Sequence, residues 1–228
     1  MFNLRHQLRV VDVVPESPST ISLYITGRRL DRLRAHAGQH LRWRFLARGC
    51  WWQSHPFSLS AAPNGAWLRV TVKVVGAYTD ALQSIRPGTR VLAQRPAGHF
   101  TAERQVGRAA LHIAAGSGIA PIRALLEDLP GDTILIYRAS HPSDVVFSNE
   151  LDHLARVRNV RVLYVVGSRT DPWPRQVFTA RGLRELVPHL NNRDVYLCGP
   201  RDLVRSVVHL LRRMGVPQAQ IHLDPFEF

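Results

Sequence analysis

Cysteine is scarce in this chain. Its 228 residues include two, Cys50 and Cys198, and they form no CxxC pair. An iron–sulfur cluster takes about four cysteine ligands, so none is expected, and a reducing, cytoplasmic setting is the default. Long apolar runs are lacking as well. None approaches the roughly 20 residues that span a bilayer, although apolar residues make up 45% of the chain, enough to fill globular cores. The start, Met1-Phe2-Asn3-Leu4-Arg5, has neither the apolar region nor the cleavage site of a secretory signal. Negative charge is in short supply too. Asp and Glu number 17 against 30 Lys and Arg, for a net charge of +13, mostly from arginine. Three readings of that charge stand: a solvated, arginine-rich surface; a basic face for anionic cofactors, an acidic partner or a membrane surface; or nucleic-acid binding. The chain lacks zinc-ligand spacing, an RNP-like aromatic motif and an uninterrupted basic helix. Its charges are scattered, which argues for the first two readings and against nucleic acid.

What is present falls into two rhythms. The length allows one large domain or two of about 100 residues. The first half reads as short strands: residues 9–14, 20–25, 40–45, 67–74 and 90–94, the third and fourth alternating apolar and polar as half-buried strands do. Turn sequences such as Pro63-Asn64-Gly65 and Pro87-Gly88 separate them. One helix is expected there, with Thr79 as N-cap. The rhythm changes between Ala102 and Arg108. Strands at 109–115, 133–137, 160–166, 194–198 and 220–223 then alternate with helices at 119–128, 147–156, 179–188 and 201–214, the pattern of a parallel sheet with helical crossovers. The fold class expected is an antiparallel β-barrel domain over residues 1–103, followed by a parallel-sheet α/β nucleotide-binding domain over residues 104–228.

The most informative stretch is Gly116-Ser117-Gly118-Ile119-Ala120-Pro121, a glycine turn between a strand and a helix. Helix N-termini present unpaired N–H groups and the positive end of the dipole, and so suit phosphate. The last small residue of a dinucleotide fingerprint is missing, and a first-turn proline stands near it. Ligands of open α/β sheets sit at the carboxyl ends of the strands. There the chain offers Tyr137-Arg138, where an NAD site would want an acidic residue for the ribose, then Gly167-Ser168-Arg169 and Cys198-Gly199-Pro200. A hydroxyl beside a guanidinium suits a phosphate monoester such as the 2′-phosphate of NADPH; the alternative for Arg169 is a solvated loop arginine. Cys198 reads equally as a buried small hydrophobe or as a ligand contact. In the first half, His55-Pro56-Phe57-Ser58-Leu59-Ser60 sets an aromatic and a hydroxyl on one strand. Sharing a face, they would stack on a flat ring and hydrogen-bond its edge; the alternative is an ordinary strand. Gly76, ahead of a capped helix, offers a second phosphate turn.

Taken in order, HPFSLS, the VKxxGxxT stretch from Val72 to Thr79, the glycine loop, the Ser-Arg pair, Cys-Gly-Pro and an aromatic C-terminus resemble the ferredoxin–NADP+ reductase superfamily. The set is more closely similar to the FAD/NADPH dehydrogenase part of bacterial ferric reductases and NADPH oxidases. The resemblance covers nearly the whole chain. It implies FAD and NADPH as cofactors, with hydride passing between them and single electrons then leaving to a haem domain, a ferric chelate or an acidic redox protein. A reductase component serving an oxygenase, or a flavodoxin or ferredoxin system, is the nearest alternative, and a non-catalytic flavin- or nucleotide-binding module the more distant one. Docking at the cytoplasmic membrane face is a further implication.

Residue by residue, the resemblance implies that Phe57 flanks the flavin ring and Ser58 hydrogen-bonds near its N5, with Pro56 between His55 and Phe57; His55 stands where many relatives have an arginine on the pyrophosphate, and a histidine there marks the oxidase and ferric-reductase branch. Val72 and Lys73 would line the flavin, and Gly76, Tyr78 and Thr79 would hold the FAD pyrophosphate. Gly116, Ser117, Gly118, Ile119 and Pro121 would hold the NADPH pyrophosphate. Arg138, Ser168 and Arg169 would face its 2′-phosphate, and Cys198, Gly199 and Pro200 its nicotinamide. Phe226, with Phe228 as rival, would cover the flavin face. The residues expected nearest the chemistry are thus Ser58, Cys198 and one of these phenylalanines; no metal site is expected. Two departures stand out. Relatives show Gly-Pro-Tyr-Gly after the barrel where this chain has Arg95-Pro96-Ala97-Gly98, and many carry a haem-binding membrane domain ahead of this region.

Overall fold

A computed structural model describes residues 6–129 and 131–225. The first half forms six strands and one short helix: Arg9–Ser17 (β1), Thr20–Thr26 (β2), His40–Phe45 (β3), His55–Ser58 (β4), Trp67–Lys73 (β5), Ala77–Leu82 (α1) and Val91–Ala93 (β6). They build two three-stranded antiparallel sheets, in the orders β1-β2-β5 and β4-β3-β6. Single bridges, Leu59 with Val70 and Arg9 with Arg90, join the sheets at both sides and close the barrel that the spacing of short strands implied. Alternation along β3 decides the packing. Leu41, Trp43 and Phe45 are fully buried while the intervening side chains turn outward, the period-2 pattern of a one-sided strand. Trp43 donates its indole N–H to the Phe57 carbonyl at 3.0 Å, so its one polar atom is satisfied inside the core.

The helix of this half begins earlier than its sequence suggests. Thr79 is not the N-cap: Gly76 is, and Thr79 is the third helical residue. Its Oγ1 accepts the N–H groups of Val75 (2.9 Å) and Gly76 (3.1 Å) and donates to the Gly76 carbonyl. The hydroxyl therefore folds the preceding turn from inside the helix, a role that a cap-residue pattern does not distinguish from capping proper.

The second half is α/β: Ala109–Ala115 (β7), Ile119–Asp128 (α2), Asp132–Ala139 (β8), Ser148–Val157 (α3), Val160–Val166 (β9), Pro172–Val177 (α4), Ala180–Leu186 (α5), Asp194–Gly199 (β10), Arg201–Arg213 (α6) and Ile221–Pro225 (β11). Its five strands are parallel in the order β11-β10-β7-β8-β9. β7 and β8 are buried over almost their whole length because helices cover both faces. The expected ranges for β7, α2 and β9 match the observed ones. The short helix α4 was not expected; its two prolines, Pro172 and Pro174, both lie in the first helical turn, where a missing N–H costs nothing.

Charge holds the halves together. Arg69 of β5 is 2% exposed. It binds Glu150 of α3 through two nitrogens at 2.7 and 3.0 Å and the Ser60 carbonyl at 2.7 Å, and its guanidinium lies 4.6 Å above the Phe147 ring centroid. Arg123 of α2 meets the same carboxylate at 2.6 Å and Glu127 at 2.7 Å. Glu127 in turn accepts the Ala62 N–H at 2.5 Å. The paired guanidiniums hold the Glu150 pKa below the usual carboxylate value against the opposing effect of burial. No helix among the described residues is long and apolar enough to cross a membrane.

Candidate functional site

Two clefts open where the halves meet. The first, of about 540 Å³, lies on the barrel side and is lined by His55, Pro56, Phe57, Ser58, Val72, Lys73, Gly76, Tyr78 and Thr79, joined by Ser117 and Ala120 from the other half. Nine residues expected around the flavin thus line one space, of the size that holds a large organic ligand. The His55 ring packs on Tyr78 with centroids 3.9 Å apart and meets Gln53 at 3.1 Å. Burial, and then the nearby Arg42 charge, lower the His55 pKa, which favours a neutral imidazole against the cleft. At α1, the N–H groups of Ala77, Tyr78 and Thr79 have no partner within the helix, while a Cβ on Gly76 would meet nothing within 4 Å.

The cleft fits FAD in its chemistry: the Phe57 and Tyr78 rings line it for a flat ring system, and open space at Gly76 beside the unpaired α1 N–H groups suits a pyrophosphate. The Tyr78 hydroxyl is buried and has no hydrogen-bond partner, and burial pushes its pKa up, so it stays a protonated donor. Its electrostatic neighbours, Cys50 and Arg44, place the hydroxyl on the barrel-core side, so the cleft meets the ring rather than the hydroxyl.

Phe57 and Ser58 do not share a face. They are successive residues of β4, so the pleat sends their side chains to opposite sides. Ser58 is turned toward the second half, where its Oγ donates to Asp224 Oδ2 at 3.4 Å. Cys198 has no exposed surface, and its thiol donates to the Asp224 carbonyl at 3.0 Å. Burial, aided by the Asp224 charge, raises the Cys198 pKa well above its usual value, which keeps it a thiol and unsuited to nucleophilic work. Burial also raises the Asp224 pKa, while His40 and the Ser58 hydrogen bond pull it down. Asp224 was visible in the sequence as the acidic residue ahead of the terminal phenylalanine but was not picked out as a site residue. Phe226 and Phe228 lie outside the described residues.

The second cleft, of about 390 Å³, sits at the carboxyl ends of the parallel strands. Its lining includes Gly116, Arg138, Arg169, Arg175 and Pro200. Arg138 is 8% exposed, and its pKa is lowered by burial and then by the charge of Arg169. Two crowded guanidiniums of like charge mark a place where an anion is favoured. Arg175, on the unexpected helix α4, adds a third cation that sequence reading missed. Ser168 does not reach this cleft: its hydroxyl pairs with Thr170 at 2.9 Å, and its N–H binds Asp171 at 2.6 Å.

The glycine loop divides its work. Gly116, at φ +54°, has open space where a Cβ would stand and faces the arginine cleft; Ser117 faces the flavin cleft. Gly118 serves packing instead, since a Cβ there would lie 2.2 Å from the Cys198 carbonyl oxygen. Gly199, at φ +158°, returns the contact with its Cβ position 2.9 Å from that of Ala115. Ile119 and Pro121 are buried in the first turn of α2. A narrow gap lined by Thr71, Lys73, Gly116, Ser117 and Asp144 shares lining residues with both clefts. Lys73, the sole lysine of the chain, lines both and bridges the halves through Asp144 at 3.3 Å.

Known proteins agree with this layout. An FAD-binding domain family matches residues 6–97, and an oxidoreductase NAD-binding domain family matches residues 112–209. The ferredoxin reductase component of a 3-ketosteroid-9-alpha-monooxygenase from Mycolicibacterium smegmatis is 30% identical over 97% of this chain and 65% of its own length. A flavohemoprotein of Xylella fastidiosa is 27% identical over 93% of this chain and 56% of its own. The chain thus spans about two thirds of the first relative and little more than half of the second. Two solved structures share the fold: the FAD/NAD-binding domain of a nitric oxide dioxygenase from Vibrio cholerae, with a TM-score of 0.82 at 23% identity, covering 97% of this chain and 99% of that one; and a ferredoxin–NADP+ reductase from Neisseria gonorrhoeae with bound FAD and NADP, with a TM-score of 0.81 at 19% identity, covering 96% and 97%. With a barrel that carries the FAD-binding family and a parallel sheet that carries the NAD-binding family, this chain belongs to the ferredoxin–NADP+ reductase type of two-domain flavoprotein oxidoreductase.

Proposed function

We propose that the chain is a flavin-dependent NADPH dehydrogenase, with residues 1–103 as its FAD-binding unit and residues 104–228 as its NADPH-binding unit. The observation that carries this reading is the meeting of the two clefts at Lys73 and the glycine loop, one cleft shaped for a flat ring and the other lined by three arginines. Bound FAD would supply the chemistry, taking up hydride from the reduced nicotinamide and releasing electrons one at a time. The chain's part is alignment, since reacting atoms must come within roughly 3–3.5 Å. Phe57 and His55 would flank the flavin ring, and the α1 N-terminus with Thr79 would hold the pyrophosphate. Ser58, backed by the Asp224 carboxyl, would offer a hydrogen bond at the ring edge and a route for a proton. Cys198 would form a buried wall behind the nicotinamide. Arg138, Arg169 and Arg175 would favour the 2′-phosphate and so NADPH over NADH.

For the acceptor, a ferric chelate, a haem or an acidic redox protein suits the basic surface. The relative that serves a monooxygenase as reductase component, with a second that serves toluate 1,2-dioxygenase, favours an oxygenase system among these. Two buried free thiols suit a reducing, cytoplasmic setting. The test is reconstitution: purified protein given FAD should turn yellow and then oxidise NADPH with a ferric chelate as acceptor. A protein that takes up no FAD, or that holds FAD without oxidising either coenzyme, overturns the reading.

A further inference from the structure

Residues 46–54 form the loop that joins β3 to β4 at one end of the barrel. Trp51 and Trp52 stand at its turn, 60% and 52% exposed, and pack edge-to-face with ring centroids 5.6 Å apart. Leu46, at the start of the loop, is 41% exposed. Neither indole lines the flavin cleft. The turn itself is firmly placed. Cys50, between Arg48 and the tryptophans, is fully buried in the barrel core, the N–H groups of Cys50 and Trp51 both bind the Ala47 carbonyl at 3.0 and 3.1 Å, and Gly49 lies so close to α1 that a Cβ would stand 2.9 Å from the Ala81 Cβ. Two large aromatic side chains are therefore held out in water by a rigid turn, an arrangement that core packing does not explain.

The charge carried by the loop and the strands that flank it is basic, with Asp80 on the neighbouring α1 as the acidic exception. Arg42, Arg48 and Arg90 are exposed; Arg42 binds the Ser54 carbonyl at 2.7 Å, and the Arg90 carbonyl accepts the Leu46 N–H at 2.9 Å, so both flank the loop. No Asp or Glu occurs in the sequence between Asp31 and Asp80.

We propose that the Trp51–Trp52 turn, with its collar of arginines, is a docking surface for an anionic lipid bilayer. Indoles seat at the headgroup level with their apolar body inward and N–H outward, and clustered arginines are drawn to acidic headgroups. A protruding turn suits this occupant better than a protein partner. A stable protein interface needs on the order of 1,000 Å² of complementary surface, whereas a fluid bilayer closes around a narrow wedge. Docking brings α1, and with it the flavin cleft, to the membrane surface.

The test uses the FAD-loaded protein and sedimentation with vesicles of phosphatidylcholine, with and without phosphatidylglycerol. Binding is expected only with phosphatidylglycerol and is expected to weaken with salt. Brominated lipid should quench the indole emission. Replacing both residues, Trp51→Ser with Trp52→Ser, should lower vesicle affinity by about tenfold or more while leaving FAD content unchanged, which separates lost docking from lost folding. Four results overturn the proposal: no binding to either vesicle; equal binding by the double variant; shielding of the indoles by FAD in the absence of lipid, which assigns the pair to the flavin cleft; or a Trp-dependent complex with an acidic redox protein but not with vesicles.

Discussion

In the proposed reading, the two clefts would recognise their ligands by different physics. The flavin cleft is built from contiguous barrel segments, His55–Ser58 and Val72–Thr79, and works by shape, aromatic faces and backbone N–H groups. The coenzyme cleft is assembled from the ends of strands far apart in sequence and works by charge, with Arg138, Arg169 and Arg175 converging from β8, the loop after β9, and α4. A large, flat ring system would be held by fit. A phosphate, small and charged, would be held by guanidiniums.

The strongest way to break the comparison is to part the two clefts. Glu150→Gln leaves the Arg69 guanidinium buried without its anion. Removing one partner of a buried pair costs about 3–5 kcal/mol; because Glu150 is 33% exposed, about 2–3 kcal/mol is expected, read as a fall in thermal midpoint. The same contact sets an acid limit. The Glu150 pKa is lower folded than unfolded, so its stabilisation is complete above the unfolded carboxylate pKa and is lost as pH falls through the folded value. Stability of the native protein should therefore drop on acidification through the carboxylate range, and the Glu150→Gln variant should lack that part of the drop.

The glycine loop gives the next contrast. Gly118→Ala drives a methyl into the Cys198 backbone and should cost about 2 kcal/mol or more. Gly116→Ala meets only its own positive φ and should cost about 1 kcal/mol. Equal losses in a denaturant series would remove the division of labour between the two glycines. A smaller effect is expected at the arginines. Arg169→Ala should weaken NADPH by about tenfold, close to 1.4 kcal/mol, with NADH almost unchanged. Arg175→Ala should act in the same direction but less. Kd values for both coenzymes decide this, and equal weakening of NADPH and NADH would remove the phosphate-reading role.

The same contrast explains what the sequence made legible. The residues expected at the flavin fall in two short runs, on β4 and from the end of β5 into α1, and period-2 alternation and turn residues place such segments locally; nine of them line one cleft. Strand ends of the second half were also readable, because alternating β and α fixes which ends carry ligand. What stayed hidden depends on distant contacts. Arg69 meets Glu150 across 81 positions of sequence, and no local pattern joins them. Arg175 sits on α4, a six-residue helix too short to show a helical period. Thr79 follows a glycine that is itself the cap, and Ser58 points away from Phe57 because neighbours on a strand alternate. Gly118 looked like a phosphate glycine but is needed where the loop crosses the end of β10.

The central claim is that the two clefts operate as one device. The most direct measurement is anaerobic mixing of the FAD-loaded protein with NADPH or with NADH, following the flavin's visible absorbance. The account predicts that NADPH bleaches the flavin in a single turnover and does so faster than NADH at equal concentration. Bound FAD that neither coenzyme bleaches would contradict it.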